Sequence, residues 1–345
     1  MSGDVCGLTR AELEAELKSC GEPAYRAAQI FDWVYKKLAF SWEEMSSLPK
    51  ALREKLITAI PFPVLIEKDL HVSEDGTRKF LFALSDGQLI ETVYIPTEKR
   101  ATLCISSQAG CKYACRFCAS GLGGFKRQLS AGEIIAQVLW AMKECRDHGE
   151  VTHIVFMGVG EPFDNYGNVM KAVRLLNAPE GFQIAARRIT ISTCGVIEGI
   201  RRLSDEGLQI ELSVSLHASD DKLRSELMPV NRKYPLRELM AACRAYATKT
   251  NRQVTFEYIM IKDVTCTDKA ARELTALLKG WLTKINLIAY NPVSEFTYLP
   301  PSKEEILQFK SSLEHKGLIT TWRTPRGKDI AAACGQLRHG LKMAK

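Results

Sequence analysis

Three cysteines, Cys111, Cys115 and Cys118, stand in Gly110-Cys111-Lys112-Tyr113-Ala114-Cys115-Arg116-Phe117-Cys118, separated by three residues and then by two. A tight loop with that spacing can aim three thiolates at one corner of a cubic iron–sulfur cluster. A [4Fe–4S] cluster has four irons, and ferredoxin-type proteins supply a cysteine to each. Three thiolates leave one iron open to a further ligand. The plainer readings are a zinc knuckle or three unrelated core thiols. Zinc takes four ligands, commonly as Cys-x2-Cys pairs. The next candidates after Cys118 are Cys145 and His148, on a segment patterned as a helix. The spacing therefore favours a cluster over zinc.

A second group of candidates closes predicted strands. Gly158-Val159-Gly160-Glu161-Pro162 follows the apolar run 152–157. Glycine lets backbone approach a ligand closely, and Glu161 can accept hydrogen bonds from an ammonium group. Ser192 in Ile191-Ser192-Thr193, the triplet Ser215-Leu216-His217, and Asn291 before Pro292 end three further runs. Each alone is most simply a polar group satisfied by backbone. Together they fall at one face of the inferred fold, which a shared ligand would explain. Cys334 lies in Ala331-Ala332-Ala333-Cys334-Gly335-Gln336-Leu337. Its small neighbours predict a mobile loop that suits a shuttling thiol, although a lone cysteine is ordinarily inert core. Cys104, on the strand leading into the cysteine loop, is either core or chemistry.

The elements that must position these residues alternate. Strands are expected at 101–106, 151–157, 188–193, 209–215, 253–260 and 284–289. Helices are expected near 131–147, 165–177, 196–206, 235–248, 268–280 and 303–315. Repeated βα units imply a parallel sheet with right-handed crossovers. Six of them predict an α/β fold, a partial (β/α)6 barrel, with ligands at the C-terminal strand ends. Before it, strand signals at 64–70, 77–84 and 88–95 with an Asp86-Gly87 turn predict a β-hairpin extension. The first sixty residues read as short helices. Capping boxes are expected at Thr9–Glu12 and Ser41–Glu44, a helix over Ala24–Leu38, and another opened by Pro49. The expected division is a helical N-terminal domain over 1–62, a β extension over 63–96, a core over 97–335 and a C-terminal tail over 336–345.

The chain has 345 residues, 46% apolar and 25% charged, as an ordinary globular protein does. Eleven cysteines with no secretory leader predict a cytoplasmic, reducing location. No apolar run is long enough to span a bilayer, so no membrane partner is expected. Lys and Arg exceed Asp and Glu by 47 − 40 = +7, which favours a polyanion such as RNA. Lys126-Arg127 and the run from Arg323 to Lys328, flanking the candidate cysteines, are the basic segments best placed to bind one.

The three-cysteine loop resembles the signature of radical S-adenosylmethionine (SAM) enzymes. Ile90-Glu91-Thr92-Val93-Tyr94-Ile95-Pro96, Cys104-Ile105-Ser106-Ser107-Gln108, the cysteine loop, Gly160-Glu161-Pro162, Ser215-Leu216-His217 and Ala332 to Leu337 occur in the order found in the radical SAM RNA adenine-C2 methyltransferases. The resemblance covers nearly the whole chain, including an RNA-binding N-terminal module. It implies a [4Fe–4S] cluster on Cys111, Cys115 and Cys118, and SAM held by Gly160, Glu161, Ser192, Ser215, Leu216, His217 and Asn291. It implies that Cys334 carries an S-methyl group, that Cys104 resolves the protein–RNA adduct through a disulfide, and that Glu91 accepts the C2 proton. The implied partners are 23S rRNA, tRNA and an external electron donor, with the protein a monomer. Three rivals remain: a C8 methyltransferase of the same rRNA adenine, a non-catalytic zinc protein that binds RNA, and a radical SAM enzyme for another substrate class. Gly124-Phe125-Lys126-Arg127 and Ile90–Pro96 resemble the C2 branch more.

Overall fold

The computed structural model describes residues 3–98 and 100–338; Met1, Ser2, Lys99 and residues 339–345, most of the expected tail, lie outside them. One sheet of ten strands forms the framework. β1 (Leu65–Val72), β2 (Arg78–Leu84), β3 (Leu89–Thr97) and β4 (Arg100–Cys104) are joined antiparallel. From β4 the sheet continues parallel through β5 (Val151–Phe156), β6 (Ile189–Thr193), β7 (Glu211–Ser215), β8 (Val254–Met260), β9 (Thr283–Ala289) and β10 (Thr320–Arg323). The six expected core strands and the hairpin extension are present. β10 was not among the expected strands. It is four residues long, too short for alternation to reveal it, and it carries Arg323 to the open edge of the barrel.

The helices between strands form where their caps say they should. Ser130 and Glu133 exchange side-chain and backbone bonds at the start of α4 (Ala131–Glu144), and Thr9 and Glu12 do so at α1 (Arg10–Ser19). α2 (Arg26–Phe31) runs into a wider π turn over Asp32–Lys36 and stops at Leu38, whose φ of 58° ends the helix. α3 spans Lys50–Ala59, with Pro49 as its N-cap. The capping box expected at Ser41–Glu44 starts no helix. Glu44 accepts from the Phe40 N–H at 2.8 Å, and Trp42 is buried with its indole N–H on the Ile60 carbonyl. Burial of one large ring outweighs a local helix start. The N-terminal helices share a core with the barrel: Asp4 accepts from Ser130, and Tyr35 packs edge-on against Phe182. Between β7 and β8 lies an unexpected short helix, α5 (Asp221–Leu227), ahead of α6 (Leu236–Thr250).

Alternation along the parallel strands separates two environments. Val254, Phe256, Tyr258 and Met260 of β8 are fully buried under helices. The opposite face lines the barrel lumen and is partly polar: Glu257 accepts from Asn286, and Asn286 pairs with Thr321. Near β4 the lumen turns apolar, where Cys104 packs with Val93, Val155, Val159, Ala332 and Leu337.

Candidate active site

The cysteine loop is fixed by glycines and by its flanks. Gln108-Ala109 pairs with Arg127-Gln128 across its base. Gly110 (φ 76°) turns where any side chain would run into the Gly124 carbonyl. Inside the loop the Cys118 N–H reaches the Cys115 carbonyl, and the Arg116 N–H reaches Leu227. Gln137 of α4 sets the approach by accepting from the Ser106 N–H and donating to the Ser106 carbonyl. The Ser106 hydroxyl donates to the Glu91 carbonyl and accepts from the Val159 N–H. One buried serine thus ties the cysteine loop, the glycine turn and β3 together.

The glycine turn lies directly on that approach. Gly160 adopts φ 110°, and a Cβ there would come within 2.5 Å of the Gln108 Cβ. The Glu161 N–H donates to Gln108 at 2.7 Å, and its buried carboxylate accepts from the Phe163 and Cys194 N–H groups. Burial raises the Glu161 pKa, against those two N–H donors. His217 sits at φ 58° with Nδ1 accepting from the Ile259 N–H. Burial drops its pKa to about 3, so the ring is neutral and its Nε2 carries the proton.

Cys111, Cys115, Cys118, Gly160, Glu161, Ser192, Ser215, His217 and Cys334 all line one cavity of about 160 Å³ at the C-terminal ends of the strands. Leu216 does not: its side chain is fully buried, and its carbonyl is taken by Arg224. Asn291 and Cys334 line an adjoining cavity, and the Asn291 amide donates to the Cys334 carbonyl at 3.1 Å. Cys104 is buried in the apolar group beside the cavity, and burial pushes its thiol up to about 12. Glu91 lies away from the cavity in a buried pair with Lys79 at 3.3 Å, and also accepts from the Arg338 N–H.

The Cys334 segment is not the free loop its small residues suggest. Asp329 accepts from Ser73, the Ala331 carbonyl from Lys79, the Gly335 carbonyl from the Ala119 N–H, and the Leu337 carbonyl from Ser120. Cys334 is nonetheless the sole exposed cysteine among the described residues, and every one of them, Cys104 included, is a free thiol. Arg127, expected to meet RNA, is instead held by Asp86 and Glu133 at 2.6 and 2.8 Å; Lys126 is exposed.

Residues 105–274 match the Radical SAM superfamily, and residues 4–60 match the Ribosomal RNA large subunit methyltransferase N-terminal domain. A protein of Bacillus thuringiensis (strain Al Hakam), "Probable dual-specificity RNA methyltransferase RlmN", is 46% identical over 95% of this chain and 91% of its own. The chain belongs to that RNA methyltransferase family. A Bacillus anthracis (strain A0248) relative of the same description has the same identity and coverage. The crystal structure of a radical SAM methyltransferase from Sphaerobacter thermophilus superposes on this methyltransferase with a TM-score of 0.95, at 47% identity, covering 97% of this chain and 99% of that one.

The donor set of this methyltransferase fits a cluster. Burial, then repulsion among Cys111, Cys115 and Cys118, raises the Cys115 thiol well above its ordinary value, and burial also raises the other two. A cationic iron centre would remove that penalty.

Two residues, Arg224 and Glu257, went unnoticed in the sequence, and Arg323 was marked only as the start of a basic run. Arg224 is fully buried and donates to the carbonyls of Cys194, Ser215 and Leu216 and to Asn231, fastening two strand ends and the 3-10 turn Pro229–Arg232. Glu257 lines the main cavity, with one carboxylate oxygen buried and without a hydrogen-bond partner. Arg323 faces both Cys334 and Cys104, and the Cys334 charge is the leading cause of its raised pKa. The one available signal was a charged residue at an apolar position of its element, which alone names no role.

Proposed function

We propose that this enzyme methylates C2 of an adenine in the peptidyl-transferase centre of 23S rRNA and the adenine 3′ of the anticodon in tRNA. The observation that carries the reading is that Cys334 lines the same cavity as the three cluster cysteines and Glu161. Adenine C2 is an electron-poor carbon and cannot attack a sulfonium methyl as a thiolate can, so the methyl must travel by way of the protein. Cys111, Cys115 and Cys118 would hold the cluster, leaving one iron for SAM. Gly160 and Glu161, with Ser192, Ser215, His217 and Asn291, would surround SAM, and Leu216 contributes backbone alone. When bound, the cluster supplies the electron that cleaves SAM and so removes a hydrogen atom from a methyl group.

The chain's own work is to carry carbon and protons. The Cys334 thiolate attacks the SAM methyl; the new S–CH3 bond forms as the sulfonium bond breaks. After hydrogen loss the Cys334 methylene joins C2, leaving RNA covalently attached. Glu91 takes the C2 proton as the adduct gives up one electron to the enzyme's redox partner. The Cys104 sulfur then attacks the Cys334 sulfur, the S–CH2 bond breaks as the disulfide forms, and the freed carbon takes a proton to become the methyl group; an external thiol reduces the disulfide afterwards. In favour of Cys104, it shares one apolar cluster with Ala332 and Leu337 of the segment that carries Cys334. Glu91 needs the Arg338 N–H to move aside first, because that group and Lys79 occupy its two oxygens. The N-terminal helices, Lys126 and Arg326 would bind RNA. The enzyme would work as a cytoplasmic monomer with an external electron donor.

Nucleoside mass spectrometry tests the reading. Anaerobically reconstituted enzyme, SAM and reductant are incubated with unmodified 23S rRNA and tRNA, and both RNAs are digested. 2-Methyladenosine in each is the expected result. 8-Methyladenosine would move the enzyme to the C8 branch, and its absence together with that of 2-methyladenosine would overturn the substrate.

A further inference from the structure

A second cavity, of about 190 Å³, adjoins the first, and Cys334 lines both. Its walls include Ile95 and Thr97 of β3, Arg100 of β4, Arg323 of β10, Arg326 and Cys334 itself. Cys334 therefore stands where the two spaces meet. No carboxylate lines the second cavity, yet three guanidinium groups do. Among the described residues Arg100 has no side-chain hydrogen bond or ion pair, and Arg323 bonds only the Met157 sulfur, at 3.5 Å. Arg326 reaches Asp75 at 3.9 Å with 43% of its side chain exposed, a contact too loose and too wet to contribute much. Like charges drawn around one concavity are unfavourable unless an anion joins them. The positive field is felt nearby: after burial, Arg100 and Arg188 lower the pKa of His153.

We propose that this cavity seats a phosphodiester group of the RNA substrate, gripped by Arg100 and Arg326, so that the adjoining nucleotide meets Cys334 from this second cavity. The guanidinium fork matches phosphate oxygens in pairs and keeps its charge at any working pH. Phosphate contacts of this kind fix register and leave base identity to other groups. Arg323, deeper and facing both thiols, completes the positive wall. The proposal rests on the RNA reading above and adds the residues that hold the backbone at the reacting sulfur.

The test uses the full-length enzyme, an RNA stem-loop with the target adenosine, and the variants Arg100→Gln and Arg326→Gln. Binding is followed by fluorescence anisotropy from 50 to 200 mM salt, with thermal melting as the check on folding. Each variant is expected to bind about tenfold more weakly at low salt, with a salt slope shallower by about one. A neutral methylphosphonate at one linkage flanking the target adenosine should cost the wild type the same factor and the matching variant nothing more. Unchanged affinity and slope in both variants would overturn the site. So would equal penalties for the neutral linkage in wild type and variants, or a parallel loss of SAM affinity, which would assign the arginines to SAM. Stabilisation of the wild type by inorganic phosphate that Arg100→Gln abolishes without changing RNA affinity would make it a free-anion site and also overturn the proposal. If the phosphate dependence holds but no methyladenosine forms, the backbone site stands and the reaction assigned above fails.

Discussion

Replacing Gly160 by alanine isolates the coupling between the SAM site and the cysteine loop. A Cβ at 160 would lie 2.5 Å from the Gln108 Cβ, 2.7 Å from its Cγ and 2.9 Å from its backbone nitrogen, where ordinary contact begins at 3.4 Å. The overlap is thus 3.4 − 2.5 = 0.9 Å. A rotamer change relieves the Cγ contact alone, so backbone has to move. The φ of 110° adds strain of roughly 1–3 kcal/mol for a residue with a side chain. The easiest escape is for the turn to lift off residues 105–108, breaking the 2.7 Å bond from the Glu161 N–H to Gln108. If about 2 kcal/mol of that strain falls on the SAM-binding conformation, SAM affinity drops about 30-fold. Equilibrium dialysis of reconstituted enzyme with radiolabelled SAM measures it, and iron content shows whether the cluster is retained. Adding Gln108→Gly removes the Cβ and Cγ and should recover part of the loss. Affinity within twofold of wild type in Gly160→Ala, at an unchanged melting temperature, would refute the argument.

Cys334→Ala should abolish RNA methylation while leaving iron content intact, and Cys104→Ala should accumulate a protein–RNA adduct visible on denaturing gels; full turnover by either would sink the two-thiol scheme. With its thiol raised from 9.0 to about 12, Cys104 holds about a thousandfold less thiolate at pH 8 than an unperturbed cysteine, so iodoacetamide mapping should label Cys334 and spare Cys104. The same shift makes the Cys104 contribution to stability complete below pH 9 and lost as pH rises toward 12, so Cys104→Ala should flatten the alkaline fall in stability over that window. Arg224→Met strands four acceptors that the guanidinium now satisfies. At about 1 kcal/mol each, and partly offset by no longer burying a cation, the loss should be about 3 kcal/mol in denaturant titration; a change below 1 kcal/mol would mean that those carbonyls find other donors.

Much of the site was legible because its chemistry is local. Cys111, Cys115 and Cys118 lie within one loop, and Gly160-Glu161, Ser192, Ser215 and His217 each end a strand whose apolar run is easy to recognise. A barrel then brings those ends to one rim. What sequence could not supply is register across distance. Glu257 and Asn286 meet only because β8 and β9 pair in parallel at those positions. Arg224 reads as a helix-surface charge until two strand ends turn their carbonyls toward it. Arg323 sits on a four-residue strand that no periodicity announces. Ser41–Glu44 failed in the opposite direction: a correct local signal lost to the burial of Trp42. Leu216 and His217 separate for the same kind of reason, since neighbours in a chain leave a strand end on opposite sides.

The segment that carries Cys334 has one further consequence. Its anchors lie far back along the chain, Ser73 being 256 residues before Asp329 and Ser120 being 217 before Leu337. On a ribosome that releases residues in order, every strand and all three cluster cysteines emerge before Gly327 to Arg338 can dock. The segment that carries Cys334 therefore cannot take its place over the cysteine rim until the rest of the barrel has left the ribosome. Its position along the polypeptide makes it the last piece of the cavity wall to be set.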